Sequence, residues 1–96
     1  MNILITGENG YIARHLKQAL SDSGHYCAAV SLRNGLDSHA DFSAYDTVIH
    51  CAALVHSKEN DPERFYRVNT ELTGALAEKS KRDGVRRFIF IQCQKN

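Results

Sequence analysis

Gly7, Gly10 and Ala13 stand three residues apart, spaced GxxGxxA, where a short apolar run gives way to an amphipathic stretch. Small residues at that spacing, between a strand and a helix, do one kind of chemistry well: they seat a phosphate. The first glycine permits the tight turn, and the second lets the backbone approach a pyrophosphate. The third position needs a small side chain where helix meets strand, and alanine serves. The N–H groups at the start of the helix then face the anion. The bland alternative is a structural β–α turn with no ligand, and the turn by itself leaves both open.

The elements around the turn can be read from periodicity. Asn2 to Thr6 is β-rich, and Gly7 to Gly10 breaks it. From Tyr11 the pattern is helical, with Ile12, Leu16, Ala19 and Leu20 on one face and Gly24 as a left-handed stop. Tyr26 to Leu32 reads as a second strand and Thr47 to Ala53 as a buried one. Asp61-Pro62-Glu63 opens a long helix: an N-cap acid, proline in the first turn and a carboxylate at the positive dipole end. Phe65, Val68, Leu72 and Leu76 carry its apolar face, and Gly84 ends it. Arg86 to Ile91 is a final strand with a charged entrance.

Strands that alternate with helices imply parallel pairing with right-handed crossovers. The expected fold is α/β, a truncated Rossmann-like doubly wound parallel sheet in the order 2-1-4-5. Residues 31–46 are too few for another helix and strand, so a shortened connection is expected there. The Arg87 to Ile91 strand, apolar on both faces, then forms an unprotected edge, and a homodimer through that edge is expected.

Composition narrows the function classes. The chain has 96 residues, 43% hydrophobic and 24% charged, enough for a single core. Its 12 Lys+Arg against 11 Asp+Glu offer no field for nucleic acid or an anionic membrane surface. No apolar run approaches the roughly 20 residues of a membrane span. Cys27, Cys51 and Cys93 fit no metal or redox spacing and read as free thiols of a cytoplasmic protein. His50, Cys51 and His56 invite a metal reading, but strand neighbours such as His50 and Cys51 point to opposite faces. No metal site is expected.

Near the end of the second strand, where a dinucleotide-binding fold usually holds an acid for the ribose diol, Ser31-Leu32-Arg33-Asn34 has none. Arg33 can stack on adenine, pair with a 2′-phosphate, or stand as an ordinary exposed loop arginine. NAD and NADP are both permitted.

Four motifs in order carry a family resemblance. They are Thr6-Gly7-Glu8-Asn9-Gly10-Tyr11-Ile12-Ala13, Asp46-Thr47-Val48-Ile49-His50-Cys51-Ala52-Ala53, Val68-Asn69, and Gly84-Val85-Arg86-Arg87-Phe88-Ile89-Phe90-Ile91. Over residues 1–91 the chain resembles the extended short-chain dehydrogenases/reductases, specifically the NAD-dependent epimerase/dehydratase group acting on nucleotide sugars. It looks most like UDP-hexose 4-epimerase-like proteins and 4-keto-sugar reductases of surface-polysaccharide pathways.

The resemblance implies that Gly7, Asn9, Gly10, Tyr11 and Ile12 hold the cofactor pyrophosphate. It implies that the backbone of Cys51, Ala52 and Ala53 runs beside the cofactor ribose, and that Asn69 is the family's helix asparagine beside the central strands. Read without the resemblance, Asn69 is equally a solvent-facing polar residue, since helices disfavour Asn only mildly.

The sequence departs from the family after Ile91. The family continues with a Ser-Ser segment and later a Tyr-x-x-x-Lys motif, whose tyrosine exchanges the proton. Here the chain reads Gln92-Cys93-Gln94-Lys95-Asn96, and none of Tyr11, Tyr26, Tyr45 and Tyr66 has a lysine four residues on. Residues 1–96 are therefore expected to be the N-terminal portion of an NAD(P)-binding Rossmann domain without its substrate domain, inactive alone. The alternatives are a stand-alone dinucleotide-binding or regulatory module, and a piece that assembles with another chain.

Overall fold

The computed structural model describes residues 1–7, 11–30, 32, 40–54 and 62–94; of residues 11, 52–54, 62, 64–66, 68–69 and 92–94 it describes the backbone course. Six elements follow one another: β1 (Asn2–Gly7), α1 (Tyr11–Asp22), β2 (Tyr26–Val30), β3 (Thr47–Leu54), α2 (Pro62–Arg82) and β4 (Arg87–Gln94). The strands form one parallel sheet in the order β2-β1-β3-β4. The Rossmann-like doubly wound sheet expected from the sequence is present. The order 2-1-4-5 reserved a number for a strand between Tyr26–Val30 and Thr47–Leu54. The described residues contain none, so the last two strands become β3 and β4 in the same spatial places.

Side-chain alternation sorts the core into two layers. Ile3, Ile5, Ile49 and Cys51 face α1, where Ala13 is buried with them and Leu16, Leu20, Cys27 and Ile91 pack alongside. Leu4 and Val48 face the other way, onto Leu76 of α2 and Phe42, with Leu72 and Phe88 beside them. A right-handed crossover from β1 leftward to β2 and another from β3 rightward to β4 must place their helices on opposite faces. Because β1 is covered on both sides, Ile3, Leu4, Ile5 and Thr6 are all buried, as the unbroken apolar run suggests.

The apolar face of α1 is rotated from the expected one. Ala13, not Ile12, enters the core; Ile12 is 39% exposed, and Ala19 is exposed as well. Ala13, Leu16 and Leu20 keep the i, i+3, i+7 spacing of a single stripe, and Ile12 lies about 100° round the helix from Ala13. β2 spans Tyr26–Val30, with Ser31 of the expected strand outside the described residues, while β4 runs on to Gln94.

Both helices end in the same cap. His25 N–H donates to the Leu20 carbonyl and Gly24 N–H to that of Ser21, with Gly24 at φ 91°. Val85 N–H donates to Ser80 and Gly84 N–H to Lys81, with Gly84 at φ 83°. These are Schellman motifs, and the glycines stand where the left-handed residue is required.

Two polar clasps fix the end of the sheet away from the glycine turn. Asp46 accepts from Asn2 N–H at its carboxylate (2.9 Å), donates its own N–H to the Asn2 carbonyl (2.8 Å), and accepts at its carbonyl from Arg86 and Arg87. It thereby ties the starts of β1, β3 and β4. Asp83, just past α2, accepts from Phe42 N–H (3.0 Å) and from Lys79 (3.1 Å), while the Lys79 ammonium lies 5.0 Å from the Phe42 ring centroid. The hydrogen bond from Phe42 is the larger cause, and that from Lys79 the next, holding the Asp83 carboxyl below its ordinary value.

The two partners of this clasp are unequally buried: the Lys79 side chain is 5% exposed and that of Asp83 21%. Losing the carboxylate strands an ammonium with little water, whereas losing the ammonium leaves a carboxylate that keeps a backbone donor. Asp83→Ala should therefore lower the urea midpoint more than Lys79→Met does. Equal losses, or the reverse order, would contradict this asymmetry.

Candidate functional site

The carboxyl ends of β1 and β3 meet at Gly7 and Cys51, which are register partners. Gly7 has φ 117°, a conformation that side-chain-bearing residues rarely adopt. A Cβ built there would fall inside the contact radius of the Cys51 carbonyl oxygen. Glycine is thus required twice, by its own dihedral and by its neighbour's backbone. β1 ends here, and α1 begins four residues later at Tyr11. The first turn of α1 holds no acidic residue, so nothing on the helix itself neutralises its positive end. The same turn exposes Ile12.

The other expected site residues fall as follows. Asn9, Gly10 and Arg33 lie outside the described residues. Tyr11 opens α1. Cys51 is buried in β3 on the α1 face, and Ala52 and Ala53 continue β3 in register with Gln92 and Cys93 of β4. Asn69 lies within the first half of α2. The structure therefore brings Gly7, Ile12 and the Cys51–Ala53 strand end to one edge of the sheet.

One feature of this edge is absent from the sequence expectations. Thr6, His50 and Phe90 form a cross-strand row one residue before Gly7, Cys51 and Ile91. Thr6 Oγ1 lies 3.0 Å from His50 Nδ1 in a buried environment, and the His50 ring stacks on Phe90 with centroids 5.7 Å apart and planes 15° from parallel. His50 is 3% exposed, and its Nε2 meets no hydrogen-bonding partner among the described residues. Burial pushes the imidazole below its ordinary value, against the opposing hydrogen bond with Thr6. The available signal was positional: Thr6 and His50 are polar residues in otherwise apolar parallel strands, each one step before the residue that closes the sheet. His50 projects onto the α2 face and Cys51 onto the α1 face, so the two do not converge.

A glycine-hinged first β–α turn at the carboxyl edge of a parallel sheet, wound on both faces, defines a Rossmann-type module. Residues 3–95 match the NAD dependent epimerase/dehydratase family, and the chain belongs to that family. The UDP-glucose 4-epimerase of Vibrio cholerae is 32% identical over 111 aligned residues, covering 94% of this chain and 34% of that protein. A short-chain dehydrogenase/reductase superfamily protein from Agrobacterium tumefaciens, crystallised with bound NAD, superimposes with a TM-score of 0.70 at 27% identity. That superposition covers 94% of this chain and 32% of the other. The chain thus spans about a third of the length of both proteins. Among the described residues, no helix is long and apolar enough to cross a membrane.

Two predictions test this geometry. Gly7→Ala should destabilise the fold by about 1–3 kcal/mol from the forced left-handed conformation alone, with the overlap on Cys51 adding to it. Gly24→Ala, where a Cβ meets nothing within 4 Å, carries only the conformational part. Urea unfolding of the two variants should rank Gly7→Ala as clearly worse, and equal losses would mean that the Cys51 contact is relieved at no cost.

The second concerns acid. The unfolded His50 takes up a proton near its ordinary value of about 6.5, while the folded ring resists it. Below that pH the unfolded state holds more protons, so stability falls as pH falls through the interval down to the lowered folded value. Wild-type protein should lose more stability between pH 7.5 and 5.5 than His50→Asn does. Parallel pH profiles would show that His50 titrates freely in the fold.

Proposed function

We propose that this chain supplies the first, pyrophosphate-binding part of an NAD(P) site of the kind used by nucleotide-sugar epimerases and reductases. The observation that carries this reading is Gly7, locked at positive φ against Cys51 so that the chain leaves β1 and opens α1 at the carboxyl edge. An α1 first turn free of acids suits an anionic group there. Family membership and the NAD-bound structural relative support the choice of ligand.

In this reading Gly7, Asn9, Gly10, Tyr11 and Ile12 hold the pyrophosphate, and the Cys51, Ala52 and Ala53 backbone borders the ribose. Asn69 steadies the strand ends from α2. Arg33 decides between cofactors: pairing with a 2′-phosphate selects NADP, and stacking on adenine leaves NAD. When bound, the dinucleotide supplies hydride exchange; the chain's own residues described here bind and orient it. Residues 1–96 form the N-terminal portion of the domain, and the sugar-binding portion lies outside them.

The sugar class, UDP-hexose, rests on the epimerase relative, and the surface-polysaccharide setting on the motif resemblance. A cytoplasmic setting belongs to the same reading, from cysteine spacing that fits no disulfide framework, and so does a homodimer through the β4 edge.

Calorimetry with NAD and with NADP tests the reading. Binding should be weak, because only part of a dinucleotide site is present, and Gly10→Val should abolish it by placing a branched side chain where backbone approaches phosphate. Binding that survives Gly10→Val unchanged would overturn the proposed seat. In the same preparation the 96-residue polypeptide should not turn over UDP-glucose or UDP-galactose, and sustained turnover would refute the assignment of its role.

A further inference from the structure

We propose that Phe42, clamped by Asp83 and Lys79, is a positioning residue for the adenosine end of the dinucleotide. The inference rests on the cofactor reading above and adds to it a group of residues remote from the glycine turn.

Phe42 is held by something other than secondary structure. Residues 40–46 belong to no helix or strand, yet Phe42 is only 5% exposed. Directional contacts take the place of a ladder. Phe42 N–H donates to the Asp83 carboxylate at 3.0 Å, and the Lys79 ammonium lies 3.1 Å from that carboxylate and 5.0 Å from the Phe42 ring centroid. Tyr45 N–H donates to the Phe42 carbonyl at 3.0 Å, and Asp41 accepts from Ser43 N–H at 2.9 Å, so the backbone on both sides of the ring is turned and tied. The anchor comes from the end of α2, 41 residues away in sequence.

What Phe42 holds in turn is the exit from β2. Pairing of β2 with β1 ends at Val30, opposite Thr6, and Val30 is 46% exposed. Two residues further on, Leu32 is packed again, against the buried cluster of Leu4, Phe42, Val48 and Leu76. Ala40 packs against the same cluster. Leu32 and Ala40 are the described residues that flank residues 33–39, so both ends of that stretch stand on the cluster that Phe42 completes. Arg33 follows Leu32 by one peptide bond. In a doubly wound sheet the residues just past the second strand are those that meet the adenosine ribose. Leu32 is the foot of those contacts. Sheet pairing stops short of that foot, and packing holds it.

The pyrophosphate seat stands on the other layer. Gly7 borders Cys51, which is buried with Ile3, Ile5, Ala13 and Ile49 under α1. Opening the clasp therefore loosens one end of the cofactor site and spares the other. A ligand that needs Leu32 in place binds with an apparent affinity reduced by the fraction of molecules that have it in place. If release of Phe42 lowers that fraction to about one in ten, the affinity falls about tenfold. The coupling must also run in reverse: a ligand at the adenosine end tightens the clasp as much as the clasp tightens the ligand.

Two probes split the site in heteronuclear magnetic resonance titrations, which register weak binding. Adenosine 2′,5′-bisphosphate reports the adenosine end, and inorganic pyrophosphate reports the glycine turn. Phe42→Leu and Asp83→Ala, studied where circular dichroism shows them folded, should each bind the bisphosphate about tenfold more weakly and bind pyrophosphate as wild type does. The double variant should be no worse than the poorer single one, because both open the same clasp. In wild-type protein the bisphosphate should slow hydrogen exchange at the Phe42 amide and pyrophosphate should not, a readout that needs no variant to fold. Unchanged bisphosphate affinity in the folded variants, equal weakening of both probes, or a Phe42 amide indifferent to the bisphosphate would each overturn the proposal. A wild type that binds pyrophosphate but not the bisphosphate would overturn it and leave the glycine seat standing. A wild type that binds neither would overturn the cofactor reading and this inference together.

Discussion

At Gly7 the chain must stay in register with Cys51 and leave the sheet in the same residue. The rest of the module depends on that demand. A strand that continued straight would carry the chain past the sheet edge and delay α1. A strand that turned earlier would lose the Gly7–Cys51 pairing and separate the two central strands at their carboxyl ends. The positive φ of Gly7 resolves the conflict, and the absence of a side chain lets the Cys51 carbonyl occupy the space. α1 begins four residues after Gly7, and Ala13 reaches the core on its first turn.

The two ends of the sheet are held by different physics. At the amino end, Asp46 joins three strand starts through hydrogen bonds, and Asp83 ties the segment leading into β3 to the end of α2. These contacts are directional and leave little freedom. At the carboxyl end the strands are held by packing, by one glycine and by a buried Thr6–His50 pair, with an imidazole nitrogen left without a described partner. Such a distribution suits a fold whose ligands meet the carboxyl ends of strands, since that end must present backbone rather than consume it.

What the sequence made legible were the features with a one-residue cause. Gly24 and Gly84 announce their caps because few other residues take that conformation, and Pro62 marks the start of α2 because proline fits only the first turn. The pairing of strands followed from alternation and handedness. Which of Ile12 and Ala13 would enter the core did not follow, since the angle at which α1 crosses the sheet rotates the apolar stripe and no local pattern records it. The Thr6–His50 pair was hidden for a related reason: each residue alone looks like a tolerated polar substitution, and only the register of β1 against β3 sets them together. For Asn9, Gly10 and Arg33 the residue types remain the whole of the argument.

The economy of the fold also explains where its surface is incomplete. Four parallel strands have two faces, and each needs cover along its length. Here α1 covers β1 and β2 on one face and reaches Ile49 and Ile91 beyond them, while α2 covers β3 on the other. On that other face Phe42, with Ala40 and Tyr45 in the same cluster, joins Leu76 of α2 over Leu4 of β1 and Ala28 of β2. Phe42 is 5% exposed, and Asp83 and Lys79 hold it in place against this face. No such plug exists beside β4 among the described residues, which is why Ile89 and Phe90 stay half in water while their neighbours on β3 are dry. Phe90 is also the ring that stacks on His50. Whatever covers the β4 edge therefore adds shelter to the buried His50 ring at the carboxyl end, and Phe90 joins the edge to the candidate site.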